Sequence, residues 1–195
     1  MDIKPIVTQA CAVLKGGGVI LYPTDTVWGL GCDATNEKAV QRIFEIKRRS
    51  EAKSLVLLAC DLDMVAKHIR QIPSIAIDLV EVNDAPMTII YPGAQYLAPG
   101  VVAEDGSVGI RIPLEGEENW GASFCKAVIR SLRAPLVSTS ANISGEGTPH
   151  SFKEISPEIK DAVDYIVPAG LEKGSSGRPS QIIKLGLGGE VKIIR

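Results

Sequence analysis

Gly16-Gly17-Gly18-Val19-Ile20-Leu21-Tyr22-Pro23-Thr24-Asp25-Thr26 places a helix stop, a wholly apolar strand and a polar turn in one short run. Upstream of it, Ile3, Val7, Cys11 and Leu14 recur at helical spacing with Ile6, Ala10 and Val13 beside them, so a helix spans Pro5 to Lys15. Downstream, Asn36 can cap the N–H groups of a second helix, Glu37 suits its positive end, and Val40, Ile43, Phe44 and Lys47 continue one face to about Lys47. Leu55 to Cys60 reads as a buried strand, Asp61 as the cap of a helix through about Ile69, and Pro73 to Val82 as a further helix. β and α segments therefore alternate.

The second half is less regular. Met87 to Tyr91 and Val108 to Ile112 read as strands, and the Gly-, Ala- and Pro-containing loop from Gly93 to Gly106 between them has the composition of a lid. Asn119 caps an amphipathic helix with Phe124, Val128, Ile129 and Leu132 on its apolar face, ending near Arg133. Leu136-Val137 leads into Ser138-Thr139-Ser140-Ala141-Asn142; a helical piece at Pro157 to Ala162 and strands at Tyr165 to Val167, Gln181 to Leu185 and Val191 to Ile194 follow. There is no repeat and no linker composition. The expectation is an α/β fold, one domain over residues 1–195, on a mixed, twisted β-sheet flanked by helices, because several connections are too short for right-handed crossovers.

Among 195 residues, 21 Lys and Arg stand against 23 Asp and Glu, a formal charge of −2, which argues against an extended nucleic-acid or anionic-membrane surface. The balance is local, however: residues 38–53 carry Lys38, Arg42, Lys47, Arg48, Arg49 and Lys53 against Glu45 and Glu51. Cys11, Cys32, Cys60 and Cys125 are widely spaced, and His68 and His150 form no ligand pair, so a zinc site is not expected and reduced thiols suit a cytoplasmic protein. The apolar run from Leu55 to Cys60 is far below the ~18 residues of a spanning helix.

Three polar segments stand at the ends of apolar elements, where open α/β sheets place ligands. Thr24-Asp25-Thr26, before Val27-Trp28-Gly29-Leu30-Gly31, sets two hydroxyls around a carboxylate, or is simply an Asp/Thr turn. Lys47-Arg48-Arg49 with Lys53 complements a helix dipole, or, if the helix unwinds there, turns two cations that would point about 200° apart toward one phosphate chain. Ser138 to Asn142 offers uncharged donors and acceptors suited to an amino acid or nucleotide, or caps a turn. No P-loop, dinucleotide fingerprint or nucleophile elbow is present.

In their order and spacing, Tyr22 to Gly31, Lys47-x-Arg49, Gly109-Ile110-Arg111-Ile112-Pro113 and Ser138-Thr139-Ser140-Ala141-Asn142-x-Ser144-Gly145 resemble the YrdC-like family of threonylcarbamoyl-AMP synthases, in its short form. The resemblance runs from the Gly-rich turn to Arg195. It implies a YrdC-like fold and the condensation of L-threonine, bicarbonate and ATP, with Mg²⁺, to threonylcarbamoyl-AMP and pyrophosphate. That reaction serves tRNA threonylcarbamoyladenosine formation with functional partners for the transfer, in the cytoplasm and with no membrane. It also implies a set of site residues: Lys47, Arg49, Ser140 and Asn142 for catalysis; Arg49, Lys53, Ser107, Asn142, His150 and Arg195 for ATP; and Thr26, Arg111, Ser140 and Ser180 for threonine, with no protein metal ligand. Ser50, Asp84-Ala85 and Gln181 depart from the family's pattern at the rim of the site. The alternative is a family paralogue without this activity that binds a nucleotide, double-stranded RNA or tRNA.

Overall fold

The computed structural model describes residues 2–49, 55–116 and 118–195. Its strands are β1 (Ile20–Pro23), β2 (Trp28–Gly31), β3 (Val56–Leu58), β4 (Met87–Tyr91), β5 (Val108–Arg111), β6 (Leu136–Ser140), β7 (Tyr165–Ile166), β8 (Gln181–Leu185) and β9 (Val191–Ile193). They form one sheet in the order β7-β1-β2-β6-β3-β5-β4-β8-β9. The pairs β1–β7, β3–β5 and β4–β8 are parallel and the others antiparallel, so the sheet is mixed. The helices are α1 (Lys4–Lys15), α2 (Glu37–Lys47), α3 (Leu62–His68), α4 (Ser74–Val82), α5 (Trp120–Leu132) and α6 (Pro157–Ala162).

The apolar strand at residues 19–22 has no polar face because both faces are covered. Ile20 and Tyr22 pack with Leu14 of α1 and Phe124 and Val128 of α5, whereas Val19 and Leu21 pack in a second cluster with Val40, Ile43 and Phe44 of α2. The period of two along a strand divides its residues between the two cores. Each expected helix cap is made: Asn36 Oδ1 accepts from Ala39 N at 3.1 Å, Asp61 Oδ1 from Met64 N at 2.9 Å and Asn119 Oδ1 from Ala122 N at 3.0 Å.

Three segments differ from the sequence reading. Trp28–Gly31, to which the sequence reading gave no element, is a strand between β1 and β6. Its glycines permit the close approach, since a Cβ on Gly31 would lie 2.5 Å from the Val137 carbonyl oxygen and 2.6 Å from the Tyr22 ring. Likewise Ser138-Thr139-Ser140, read as following a strand, is the second half of β6, with Thr139 paired to Leu30 and Ser140 to Gly29. The strand at residues 55–60 is shorter than expected, Val56–Leu58.

Candidate functional site

The β1–β2 turn is built to hold its side chains still. Thr24 Oγ1 donates to the Val27 carbonyl at 2.8 Å and accepts from Thr26 N at 3.0 Å, and it stands 2.9 Å from Thr26 Oγ1. From the opposite side, Ser176 N donates to Asp25 O at 2.9 Å and Gly177 N to Thr26 O at 2.8 Å. Asp25 thus lies buried against Arg111 at the C-terminal end of β5, and the two form an ion pair with 1% and 4% of their side chains exposed. The other Asp25 oxygen accepts from Leu114 N at 3.2 Å, and Arg111 Nη2 donates to Thr26 Oγ1 at 3.3 Å. The burial is tolerable because the two charges are in direct contact and further hydrogen bonds reach both, Leu114 N–H to Asp25 and Arg111 to Thr26.

Across the sheet, α2 ends where the sequence suggested it would unwind. Arg48 is left-handed with φ 48°, its N–H bonds to Glu45 O, and Arg49 N–H bonds to Phe44 O, both at 3.0 Å, which closes the helix with a Schellman-type cap. The reversal separates the neighbouring cations by role. Lys47 is 2% exposed and its Nζ donates to the carbonyls of Ser140 at 2.5 Å and Asn142 at 2.7 Å. Burial, and secondarily the Arg49 charge, pull its pKa down to about 8. Arg49 points into a cavity, and burial lowers its pKa as well.

That cavity has a volume of about 260 Å³, and the expected residues Thr26, Arg49, Arg111, Ser140, Ser180 and Arg195 all line it. Ser138 and Thr139 of β6, part of the hydroxyl segment read as a ligand contact, reach it as well; Trp28 and Gly29 of β2 and Thr148 also line it, and the sequence reading gave these three no contact. A second cavity of about 950 Å³ lies alongside. The two share Leu55, Val56 and Ile182 as walls. Ser107 belongs to the larger one, together with Lys184 and Lys192. Asn142 and His150 line neither. Asn142 Nδ2 donates to the Ile143 and Glu146 carbonyls, which leaves its buried Oδ1 without a protein partner. His150 Nδ1 lies 3.0 Å from the Gly177 carbonyl, on the loop that supports the β1–β2 turn. Lys53 and Ser50 lie outside the described residues.

Sequence reasoning did not assign Asp25 a site role, although the Thr-Asp-Thr turn and an arginine closing an apolar strand were its signal. Of the 175–180 rim it named only Ser180, and that through the family resemblance; Ser176 and Gly177, whose N–H groups hold the β1–β2 turn, carry no signal of their own in the sequence. Among the described residues no cluster of three His, Cys, Asp or Glu side chains could hold a metal, and no helix is long and apolar enough to cross a membrane.

Comparison with known proteins supplies a context for this geometry. The family described as Telomere recombination (Sua5_yciO_yrdC) matches residues 12–195. The Threonylcarbamoyl-AMP synthase of Xanthomonas euvesicatoria pv. vesicatoria (strain 85-10) is 35% identical over 177 residues, 89% of this chain and 90% of that protein. The H234A/Y235A form of P. abyssi Sua5 superposes with a TM-score of 0.83 at 24% identity, over 97% of this chain and 55% of that one. P. abyssi Sua5 complexed with L-threonine gives a TM-score of 0.78 at 24% identity, over 92% of this chain and 50% of that one. The chain therefore spans about half the length of P. abyssi Sua5.

Proposed function

The chain belongs to the Sua5/YciO/YrdC family, and from that premise we propose that it is a threonylcarbamoyl-AMP synthase, joining L-threonine, bicarbonate and ATP into threonylcarbamoyl-AMP and pyrophosphate. The observation that carries this reading is convergence: Thr26, Arg49, Arg111, Ser140, Ser180 and Arg195, dispersed over the chain, meet around one cavity of about 260 Å³ that opens beside one of about 950 Å³. The smaller has room for an amino acid and the larger for a nucleotide.

In this reading the threonine carboxylate lies on Arg111, whose guanidinium is already oriented by Asp25 and Thr26. The hydroxyls of Thr26, Ser140 and Ser180 meet the amine and side-chain hydroxyl. The neutral amine adds to CO2 and sheds a proton, or condenses with bicarbonate and sheds water; an oxygen of the resulting carbamate attacks the α-phosphorus, and pyrophosphate leaves with the electron pair of the broken P–O bond. Both reactants are anions, so the enzyme's task is alignment and charge neutralisation. Arg49, with Lys47 behind it, and Arg195 supply positive potential. Ser107 meets ATP from the wall of the larger cavity, whereas Asn142 and His150, which line neither cavity, and Lys53 are assigned to ATP by the family resemblance alone. Mg²⁺ fits this arrangement as a companion of the phosphates and water, since the described residues hold no carboxylate cage and the unpartnered Asn142 Oδ1 is a neutral oxygen.

In this reading the product is a reactive mixed anhydride that a tRNA-modifying transferase in the cytoplasm consumes. The test is to combine protein, ATP, L-threonine, bicarbonate and Mg²⁺ and to measure pyrophosphate. Release that depends on threonine, with tRNA modified when transfer partners are added, supports the reading. Salt-dependent RNA binding with no threonine-dependent pyrophosphate would replace it with the binding-protein alternative.

A further inference from the structure

We propose that Thr88 is a positioning residue of the amino-acid site: its hydroxyl fixes the direction in which Ser180 presents its own. This rests on the threonine reading of the smaller cavity. Thr88 is 0% exposed and stands on β4 opposite Arg111 of β5 on one side and Ile182 of β8 on the other. Directly paired residues on adjacent strands share a face, so Thr88 lies between the arginine assigned to the threonine carboxylate and the segment that carries Ser180. Its Oγ1 is 2.8 Å from Ser180 Oγ.

Thr88 is β-branched and fully enclosed, so its χ1 is restricted, and Gly109 leaves room beside its methyl: even an added Cβ there would lie an ordinary 3.4 Å from Thr88 Cγ2. With the methyl on the Gly109 side, the hydroxyl faces Ser180. Thr88 lines the larger cavity and Ser180 the smaller, so this hydrogen bond crosses the wall between them. The backbone of Ser180 is secured separately, its carbonyl accepting from Arg195 Nε at 3.2 Å and Nη2 at 3.0 Å. Only the rotation of the Ser180 hydroxyl remains to be set, and among the described residues Thr88 is the group that sets it.

The experiment compares wild type, Thr88→Val and Thr88→Ser in steady-state kinetics and in calorimetric titration with L-threonine. Thr88→Val keeps the branched shape and removes the hydroxyl. It should raise the KM and Kd for threonine about tenfold, the scale of one lost hydrogen bond, with the KM for ATP within about twofold of wild type. Thr88→Ser should restore most of the threonine affinity; a structural loss would not select one substrate or respond to the hydroxyl alone. Wild-type threonine affinity in Thr88→Val, an equal rise in the KM for ATP, or no recovery in Thr88→Ser would overturn the inference. A wild-type protein that releases no threonine-dependent pyrophosphate refutes the synthase reading, and the calorimetric series then judges Thr88 by itself; no threonine binding to wild type overturns both.

Discussion

Arg111 and Lys47 are both cations buried to within a few per cent of full enclosure, at 4% and 2% exposure, yet the protein treats their charges in opposite ways. Arg111 has a carboxylate, Asp25, in direct contact. Lys47 has two peptide carbonyls and, among the described residues, no ion pair, and the charge that acts on it, Arg49, is of the same sign. The first arrangement cancels charge and fixes a fork of donors in one direction. The second keeps the charge uncancelled, and its electrostatic cost appears as a pKa drawn down to about 8. A site that must hold one carboxylate precisely and draw in a polyphosphate has use for one of each.

The comparison predicts different penalties. Asp25→Ala leaves the Arg111 guanidinium buried without its counter-ion, and losing one partner of such a pair costs about 3–5 kcal/mol. Urea unfolding should show that loss, and threonine turnover should vanish with it. Lys47→Met keeps the aliphatic stem and removes the ammonium, leaving the Ser140 and Asn142 carbonyls without a donor, so the stability loss should be nearer 1–3 kcal/mol in order of magnitude. Its turnover should nevertheless fall about a hundredfold or more, because the positive potential at the phosphates is gone. Equal stability losses in the two variants, or near-normal turnover in Lys47→Met, would break the distinction.

What could be read in the sequence was what local chemistry dictates. Asn36, Asp61 and Asn119 signal helix starts because a side-chain oxygen and the N–H three residues on settle the matter between themselves. The arrest of α2 after Lys47 was legible too, although the left-handed Arg48 that produces it carries no glycine to announce it. β2 was missed because Trp28-Gly29-Leu30-Gly31 has neither alternation nor an unbroken β-branched run; it is a strand because β1 and β6 lie on either side and only glycine fits at residue 31. The hydroxyls of Ser138 to Ser140 made the end of β6 look like loop for a related reason: what decides their conformation is the edge of β2, which is far away in sequence. In the candidate site the cations and hydroxyls were visible as residue types. Their partners were not, since Asp25 and Arg111 meet across 86 positions, and Lys47 is held by backbone oxygens, which no side-chain motif can reveal.

A pH effect separates charge from structure at Lys47 itself. An unfolded lysine titrates near 10.5 and this one near 8, so between those values the unfolded chain holds a proton that the folded chain has released. Stability therefore gains from this group as pH rises through that window, by up to about 3 kcal/mol, because the cost of enclosing the charge disappears. Activity moves the other way, since the same deprotonation removes the potential at the phosphates. Urea titrations at pH 7.5 and pH 10 should show wild type gaining stability relative to Lys47→Met, while kcat/KM for ATP declines above about pH 8 in wild type. Lys47→Arg keeps its charge throughout and should lack that alkaline decline even if its longer fork lowers the plateau. An unchanged alkaline limb in Lys47→Arg would assign the titration to another group. The buried ammonium would then be a strut for the Ser140–Asn142 segment, and the contrast with Arg111 would reduce to two ways of tying down a backbone.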